Sequence, residues 1–138
     1  MVIFIILISN PGFLISDKLI NQEIIEKQRN KYIPPEAFLY MAEDISFDIW
    51  SFGCMLIDIF SKEQPIFKLN LTNDELNKLY ENKKFPYIPD DINNLLKDII
   101  GKCLDYDYMN RITISELSEN LNILFDNISV SSQNLGKL

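Results

Sequence analysis

Histidine is absent from this 138-residue chain, and that absence excludes several kinds of catalytic site. A Ser-His-Asp triad, a histidine-ligated zinc site and acid–base catalysis by an imidazole all need the missing residue. Cysteine is scarce as well, because only Cys54 and Cys103 are present, far apart and with no Cys-x-x-Cys pair. Both lie in apolar segments, so we expect buried thiols in a reducing compartment, the cytoplasm.

Positive charge is also in short supply. Lys and Arg number 13 against 20 Asp and Glu, so the formal net charge is -7. Nucleic acids and anionic membranes are bound by basic patches, so we expect neither as a partner. The apolar run at residues 2–8 is too short to cross a bilayer and lacks the flanks of a secretory signal.

The composition is that of a folded domain, with 47% hydrophobic and 24% charged residues. The Val- and Ile-rich start favours a buried strand over residues 2–9, followed by a turn at Asn10-Pro11-Gly12. The remaining patterns favour helices over residues 17–28, from the Pro34-Pro35 pair, and over 47–61, 73–82, 92–104 and 113–128. From Ser129 the chain is polar, and we expect it to fray.

Helix-start signals add detail to this pattern. Thr72 with Glu75, and Thr113 with Glu116, have the capping-box spacing. Either Asp90 or Asp91 is expected to cap the helix that follows it.

The segment at residues 47–61 is apolar on nearly every side, which is typical of a buried helix at the centre of a larger fold. Asp48 and Asp58 are the exceptions within it. On the residues alone, Asp48 near the helix start is explained by capping or by the helix dipole.

Residues 105–116 have acids at the first, third and twelfth positions, as a calcium-binding loop does. Met109 stands at the fifth position and Asn110 at the sixth, where calcium loops need an oxygen ligand and a glycine. An acidic loop between two helices is therefore the better interpretation.

Several motifs then occur in a fixed order, and together they resemble the C-terminal lobe of a protein kinase. "YIPPEAF" at residues 32–38 is similar to the Ala-Pro-Glu motif, with Pro34 in place of Ala and Pro35 as the proline. "DIWSFG" at 48–53 matches Asp-x-Trp-Ser-x-Gly, "QPIF" follows at 64–67, and "NRIT" at 110–113 holds the Arg of a late Arg-Pro-Thr motif. The resemblance covers about residues 3–126 and leans towards the tyrosine-kinase-like branch. It implies a mainly α-helical lobe with a short strand at the N-terminus.

The resemblance implies structural roles for the matched residues. Glu36 and Arg111 would form a buried ion pair between the end of the activation segment and the last loop, and Trp50 and Gly53 would pack the central helix. Asp48 would accept hydrogen bonds from backbone N–H groups of the catalytic loop. None of these residues transfers a phosphoryl group, so no catalytic residue is assigned.

The parts that the family uses for catalysis are not found in the sequence. There is no Gly-rich loop, no strand lysine with its helix glutamate, and no His-Arg-Asp catalytic loop. By position, Asn10, Pro11 and Gly12 correspond to a degenerate Asp-Phe-Gly motif; an ordinary turn is the alternative interpretation. Asn10 would replace the magnesium-binding Asp with a weaker, neutral ligand, so no metal site is expected. Ser16 and Tyr32 are the hydroxyl residues between this motif and Glu36, and hence the candidate phosphorylation sites.

Three hypotheses remain open for residues 1–128, a partial kinase-like domain, with residues 129–138 as a frayed tail. The chain is a pseudokinase-like piece without catalysis of its own, for which ATP and magnesium enter by family resemblance only. Alternatively, it is a truncated or split piece of an active kinase. In the third, it is a helical binding module, whose central helix at 47–61 is covered by a protein partner or by a missing lobe segment.

Overall fold

The computed structural model describes residues 19–41 and 46–135, so the strand predicted at 2–9 lies outside the described residues. The described chain is helical. Its helices are α1 (Leu19–Asn30), α2 (Pro35–Tyr40), α3 (Phe47–Phe60), α4 (Asn73–Glu81), α5 (Asn94–Cys103) and α6 (Ile114–Leu135). Two 3-10 turns, Ile66–Lys68 and Tyr108–Asn110, lie between them. The predicted mainly α-helical class is confirmed.

The core is built around α3, which packs chiefly against α5, while α5 also contacts α6. The buried side chains at these helix contacts are apolar, and a fully buried Leu or Ile among them contributes about 1.5–3 kcal/mol. They are Ile49, Trp50, Cys54, Leu56 and Ile57 from α3, Leu96, Ile99, Ile100 and Cys103 from α5, and Leu117 and Leu124 from α6. Cys54 and Cys103 are buried free thiols, as predicted.

Both predicted capping boxes are present. The Thr72 hydroxyl accepts a hydrogen bond from the Glu75 N–H at 3.2 Å, and the Glu75 carboxylate accepts one from the Thr72 N–H at 2.8 Å. At the start of α6 the corresponding distances between Thr113 and Glu116 are 3.2 and 2.9 Å. Each box satisfies two N–H groups that the helix itself leaves without an acceptor.

The prediction that Asp90 or Asp91 caps α5 is wrong. Asn93 is the cap, and its side-chain oxygen accepts a hydrogen bond from the Leu95 N–H at 2.8 Å. The Asp91 carboxylate is used by the turn after α3, where it accepts bonds from the Ser61 hydroxyl and the N–H groups of Lys62 and Glu63. That tertiary contact occupies Asp91 and leaves the cap to a later residue.

The last helix is longer than predicted. The sequence places a frayed tail from Ser129, yet α6 continues to Leu135. No proline or glycine interrupts the chain before Gly136, so nothing in the backbone chemistry ends the helix earlier. The division of the chain at residue 128 stays a prediction. Within the described residues, no helix is both long enough and apolar enough to cross a membrane.

Gly53 and Gly101 lie inside helices, and we expect opposite effects when each is replaced by alanine. A Cβ at Gly53 would lie 2.8 Å from the Cys103 Cβ, which belongs to the facing helix and cannot rotate away. Gly53→Ala is therefore expected to lower the free energy of unfolding by about 1–3 kcal/mol. A Cβ at Gly101 meets nothing closer than the Ile88 Cδ1 at 3.9 Å. Gly101→Ala should raise the free energy of unfolding by about 0.5–1 kcal/mol, because alanine favours the helix.

Urea denaturation of the two variants measures both effects in the same assay. A Gly53→Ala protein as stable as the unmodified chain would mean that α3 and α5 separate at little cost. Gly101→Ala is the matched control, since it makes the same chemical change in a helix with room for the methyl group.

Candidate functional site

The site is centred on α2, whose start is set by two prolines. Pro34 is extended, with φ -67° and ψ 156°, and Pro35 occupies the first helical turn, where its missing N–H costs nothing. Both prolines are buried. This fixes Glu36 in the first turn of α2, where a carboxylate is also favoured by the helix dipole.

Glu36 and Arg111 form a bidentate ion pair that connects α2 to the loop before α6. The two guanidinium nitrogens of Arg111 donate to the two carboxylate oxygens of Glu36 at 2.6 and 2.7 Å. The Arg111 side chain is fully buried and that of Glu36 is 10% exposed. Each buried charge compensates the other, and the bidentate geometry fixes how the two side chains meet.

The other donors of Arg111 are satisfied too. Its Nε donates to the Asp105 carbonyl at 2.8 Å, and one terminal nitrogen also reaches the Ser46 carbonyl at 3.2 Å. Arg111 thus holds together α2, the residue before α3 and the turn after α5. The sequence did not predict the contacts with Ser46 and Asp105, since nothing in the residue pattern identifies backbone carbonyls as acceptors.

The Trp50 ring packs against the Glu36–Arg111 ion pair on the side of the arginine. The Arg111 guanidinium lies over the Trp50 ring, with its central carbon 5.0 Å from the ring centroid. Trp50 is fully buried and makes edge contacts with Tyr80 and Tyr106, at centroid distances of 6.0 and 5.4 Å. Among the described residues the Trp50 Nε1 has no hydrogen-bond acceptor. The ring of Trp50 is therefore in contact with Arg111, Tyr80 and Tyr106.

Two further residues of the Asp-x-Trp-Ser-x-Gly motif have different surroundings. Gly53 of α3 packs against Cys103 and Leu104 at the end of α5. Asp48 is half-buried in the first turn of α3, and within residues 19–41 and 46–135 its carboxylate has no hydrogen-bond donor. The helix dipole favours a carboxylate at that position even so.

A second polar cluster, which we call the Lys31 anchor, consists of Lys31, Tyr32 and Asp58. The ammonium of Lys31 is buried and donates to three backbone carbonyls, those of Ile66, Phe67 and Leu69, at 3.0, 3.3 and 2.7 Å. The Tyr32 hydroxyl donates to Asp58, whose other oxygen accepts from the Phe67 N–H at 3.2 Å. The cluster attaches the chain before α2 to the 3-10 turn after α3.

The protonation states within the Lys31 anchor follow from burial. Burial lowers the pKa of Lys31, and the nearby Asp58 carboxylate partly offsets this. Burial raises the pKa of Asp58, although hydrogen bonds from Tyr32 and Phe67 act against the rise. Burial and the Asp58 contact raise the pKa of Tyr32, so its hydroxyl keeps its proton and acts as a donor.

The sequence offered one signal for the Lys31 anchor. A lone aspartate inside an apolar helix needs a partner, and Asp58 was such a residue. No signal pointed to Lys31. Tyr32 stays a candidate phosphorylation site, although its hydroxyl is hydrogen-bonded to Asp58 in the folded chain.

A model of the protein tyrosine and serine/threonine kinase family matches residues 5–121. The chain belongs to this kinase family. It is 32% identical over 89 residues to the dual specificity protein kinase shkB of Dictyostelium discoideum, covering 64% of this chain and 14% of that protein. It is 32% identical over 103 residues to the serine/threonine-protein kinase ksg1 of Schizosaccharomyces pombe, covering 70% and 16%. To the mitogen-activated protein kinase kinase kinase 18 of Arabidopsis thaliana it is 30% identical over 105 residues, covering 72% and 31%.

This kinase chain therefore spans less than a third of the length of these relatives. Asn10, Pro11, Gly12 and Ser16 lie outside the described residues, so the degenerate Asp-Phe-Gly motif stays a prediction. The placement in the tyrosine-kinase-like branch likewise stays a prediction.

The described part of the kinase lobe contains two buried thiols and no grouped metal ligands. Within it, no three His, Cys, Asp or Glu side chains are grouped as metal ligands. Burial raises the pKa of Cys54, and burial raises that of Cys103 to about 12. Both thiols are therefore protonated at neutral pH and inert as nucleophiles. The arrangement around Glu36 and Arg111 holds α2, the residue before α3 and the turn after α5 together.

Proposed function

We propose that this chain is a non-catalytic part of a protein kinase domain, which works by holding a helical lobe in shape for a further protein segment to bind. The observation that carries the proposal is that the Glu36–Arg111 ion pair is fully formed, while the sequence has no catalytic loop. Phosphoryl transfer needs groups that position the nucleophile and neutralise the γ-phosphate, and this sequence provides neither. We expect this chain alone to bind neither ATP nor magnesium.

One face of α3 supports a binding role. Asp48, Phe52, Met55 and Ile59 recur at helical spacing along it, and none of them is buried. Ile59 is 61% exposed, and Phe60 beside it is 49% exposed. Exposed apolar groups lie next to a half-buried carboxylate that has no donor among the described residues, and another segment would cover such a surface. We propose that an upstream kinase segment or a protein partner covers this face, and that its backbone N–H groups reach Asp48.

A radiolabelled-ATP assay on the purified chain, with a generic protein substrate and an active kinase as positive control, tests the lack of catalysis. We expect no phosphate transfer above the background without protein. Transfer that disappears in an Asp48→Asn variant would overturn the proposal, because it would come from this chain.

The alternative, a split piece of an active kinase, makes a different prediction in a chimaera. The upstream kinase segment of the Schizosaccharomyces pombe relative is fused before residue 1 of this chain. If Asn10 is too weak a ligand for magnesium, the chimaera is inactive and Asn10→Asp restores phosphate transfer. An active chimaera with Asn10 intact supports the split kinase instead.

We place the protein in the cytoplasm on the support of its two unpaired buried thiols.

A further inference from the structure

A groove with aromatic walls lies on the side of the lobe formed by α2, the end of α4 and the turn before α6. We call it the tyrosine groove and define it by Leu39, Tyr40, Tyr80, Glu81, Tyr106 and Tyr108, which line it. Its volume is about 380 Å³. The proposed function does not use this groove.

The floor of the tyrosine groove is rigid. The Tyr80 hydroxyl donates to the Ile33 carbonyl at 2.5 Å, and the Tyr106 hydroxyl donates to the Phe85 carbonyl. The two rings also contact each other at a centroid distance of 6.3 Å. Tyr80 is buried and holds Tyr106 in place, so the floor surface that a ligand meets is the half-buried Tyr106 ring. Because that ring is already fixed, ordering it would cost little on binding.

The walls remain available. Tyr40 is 77% exposed and Tyr108 is 38% exposed, and Leu39, which also lines the groove, is half-buried. Two exposed tyrosine rings beside a fixed aromatic floor present several π faces to one ligand.

The charge at the tyrosine groove is negative. Glu81 and Asp107 line it with exposed carboxylates, and Lys83 is the cation among its lining residues. Glu36 also borders the groove, but its charge is neutralised by Arg111. The whole chain carries a net charge of -7, which attracts positively charged partners.

We propose that the tyrosine groove binds an arginine side chain on a basic segment of a partner protein. Aromatic faces attract cations, and carboxylates at the rim pair with them. Arginine suits this site better than lysine, because the planar guanidinium stacks on tyrosine while its edge donates to Glu81 or Asp107. Arginine is also frequent at the centres of protein interfaces.

The test is the fluorescence anisotropy of a labelled short glycine–arginine peptide, titrated with the purified chain. The same peptide with glutamine in place of arginine is the reference. We expect saturable binding of the arginine peptide, weaker binding as salt is added, and no saturation with the glutamine peptide.

Two groove variants and two matched controls locate the binding. Tyr40→Ala is expected to weaken binding about two- to fivefold, as for loss of one cation–π contact, and Tyr40→Phe to retain it. Glu81→Gln keeps the oxygen that accepts a bond from Asn77 and removes only the charge, so it should weaken binding without unfolding α4. Tyr87→Ala and Glu119→Gln make the same changes at exposed positions outside the groove and should leave binding unchanged.

Three results would overturn the proposal. Equal binding of the arginine and glutamine peptides would show that charge is not recognised. Equal losses in the groove and control variants would show attraction to the whole acidic surface. Absence of binding to the arginine peptide would also reject the site, whatever the outcome of the phosphotransfer assays.

Discussion

Glu36→Gln is expected to lower the free energy of unfolding by about 3–5 kcal/mol, although it changes neither the size nor the shape of the side chain. The buried Arg111 guanidinium would then face a neutral amide. One of its two hydrogen bonds would be lost, because the amide NH2 group cannot accept a bond from a guanidinium N–H. Its charge would remain inside the protein without a counter-charge. Urea unfolding followed by the fluorescence of Trp50, the single tryptophan, reports directly on this region.

Asp98→Asn is the matched control for that substitution. Asp98 and Lys102 form an exposed ion pair at 2.9 Å on α5. Removing an exposed pair typically changes stability by less than about 1 kcal/mol, because water already solvates both charges. If Glu36→Gln costs no more than Asp98→Asn, the Glu36–Arg111 pair does not hold the lobe together.

A double substitution separates the value of the pair from the cost of an orphaned charge. Replacing Glu36 and Arg111 together, by leucine and methionine, removes both charges. We expect this protein to be more stable than either single variant, because no uncompensated charge is left in the interior. Comparing the free energies of unfolding of the double variant and the unmodified chain tells whether the ion pair is needed for stability or for fixing the position of α2 against the loop before α6.

The parts of the fold that depend on local chemistry could be read from the sequence. The capping boxes at Thr72 and Thr113 need only residues three apart, so their spacing was enough to place the starts of α4 and α6. The cap of α5 could not be predicted in this way. Three polar residues, Asp90, Asp91 and Asn93, compete for it, and the choice depends on a turn about 30 residues earlier in the chain.

The candidate site shows the same division. Glu36 and Arg111 lie 75 residues apart, and their contact was expected only through the family resemblance. Lys31 was not expected at all, because its acceptors are backbone carbonyls, which every residue possesses. The tyrosine groove was missed for a related reason. Tyr40, Tyr80 and Tyr106 are separated by long stretches of chain and meet only when α2, α4 and the turn after α5 come together.

Trp50→Ala is expected to be as damaging as the loss of a buried charge, about 3–5 kcal/mol in the free energy of unfolding. The ring is fully buried, and its removal would leave a cavity bounded by Tyr80, Tyr106 and the guanidinium of Arg111. Trp50→Phe should cost clearly less, since it keeps an aromatic face and removes an N–H that has no acceptor among the described residues. Far-UV circular dichroism in urea measures both variants without relying on tryptophan fluorescence.

The contact between Trp50 and Arg111 can be isolated by a double-mutant cycle. Arg111→Met leaves Glu36 unpaired in the presence and in the absence of the tryptophan, so that cost cancels from the comparison. A cation held 5.0 Å from the ring centroid in a buried site should give a coupling energy of about 0.5–2 kcal/mol. Losses that simply add, to within about 0.3 kcal/mol, would show that the ring only fills space. A measurable coupling would mean that Trp50 and Glu36 act on the same guanidinium from two sides, so that the central helix and α2 are positioned by a single arginine.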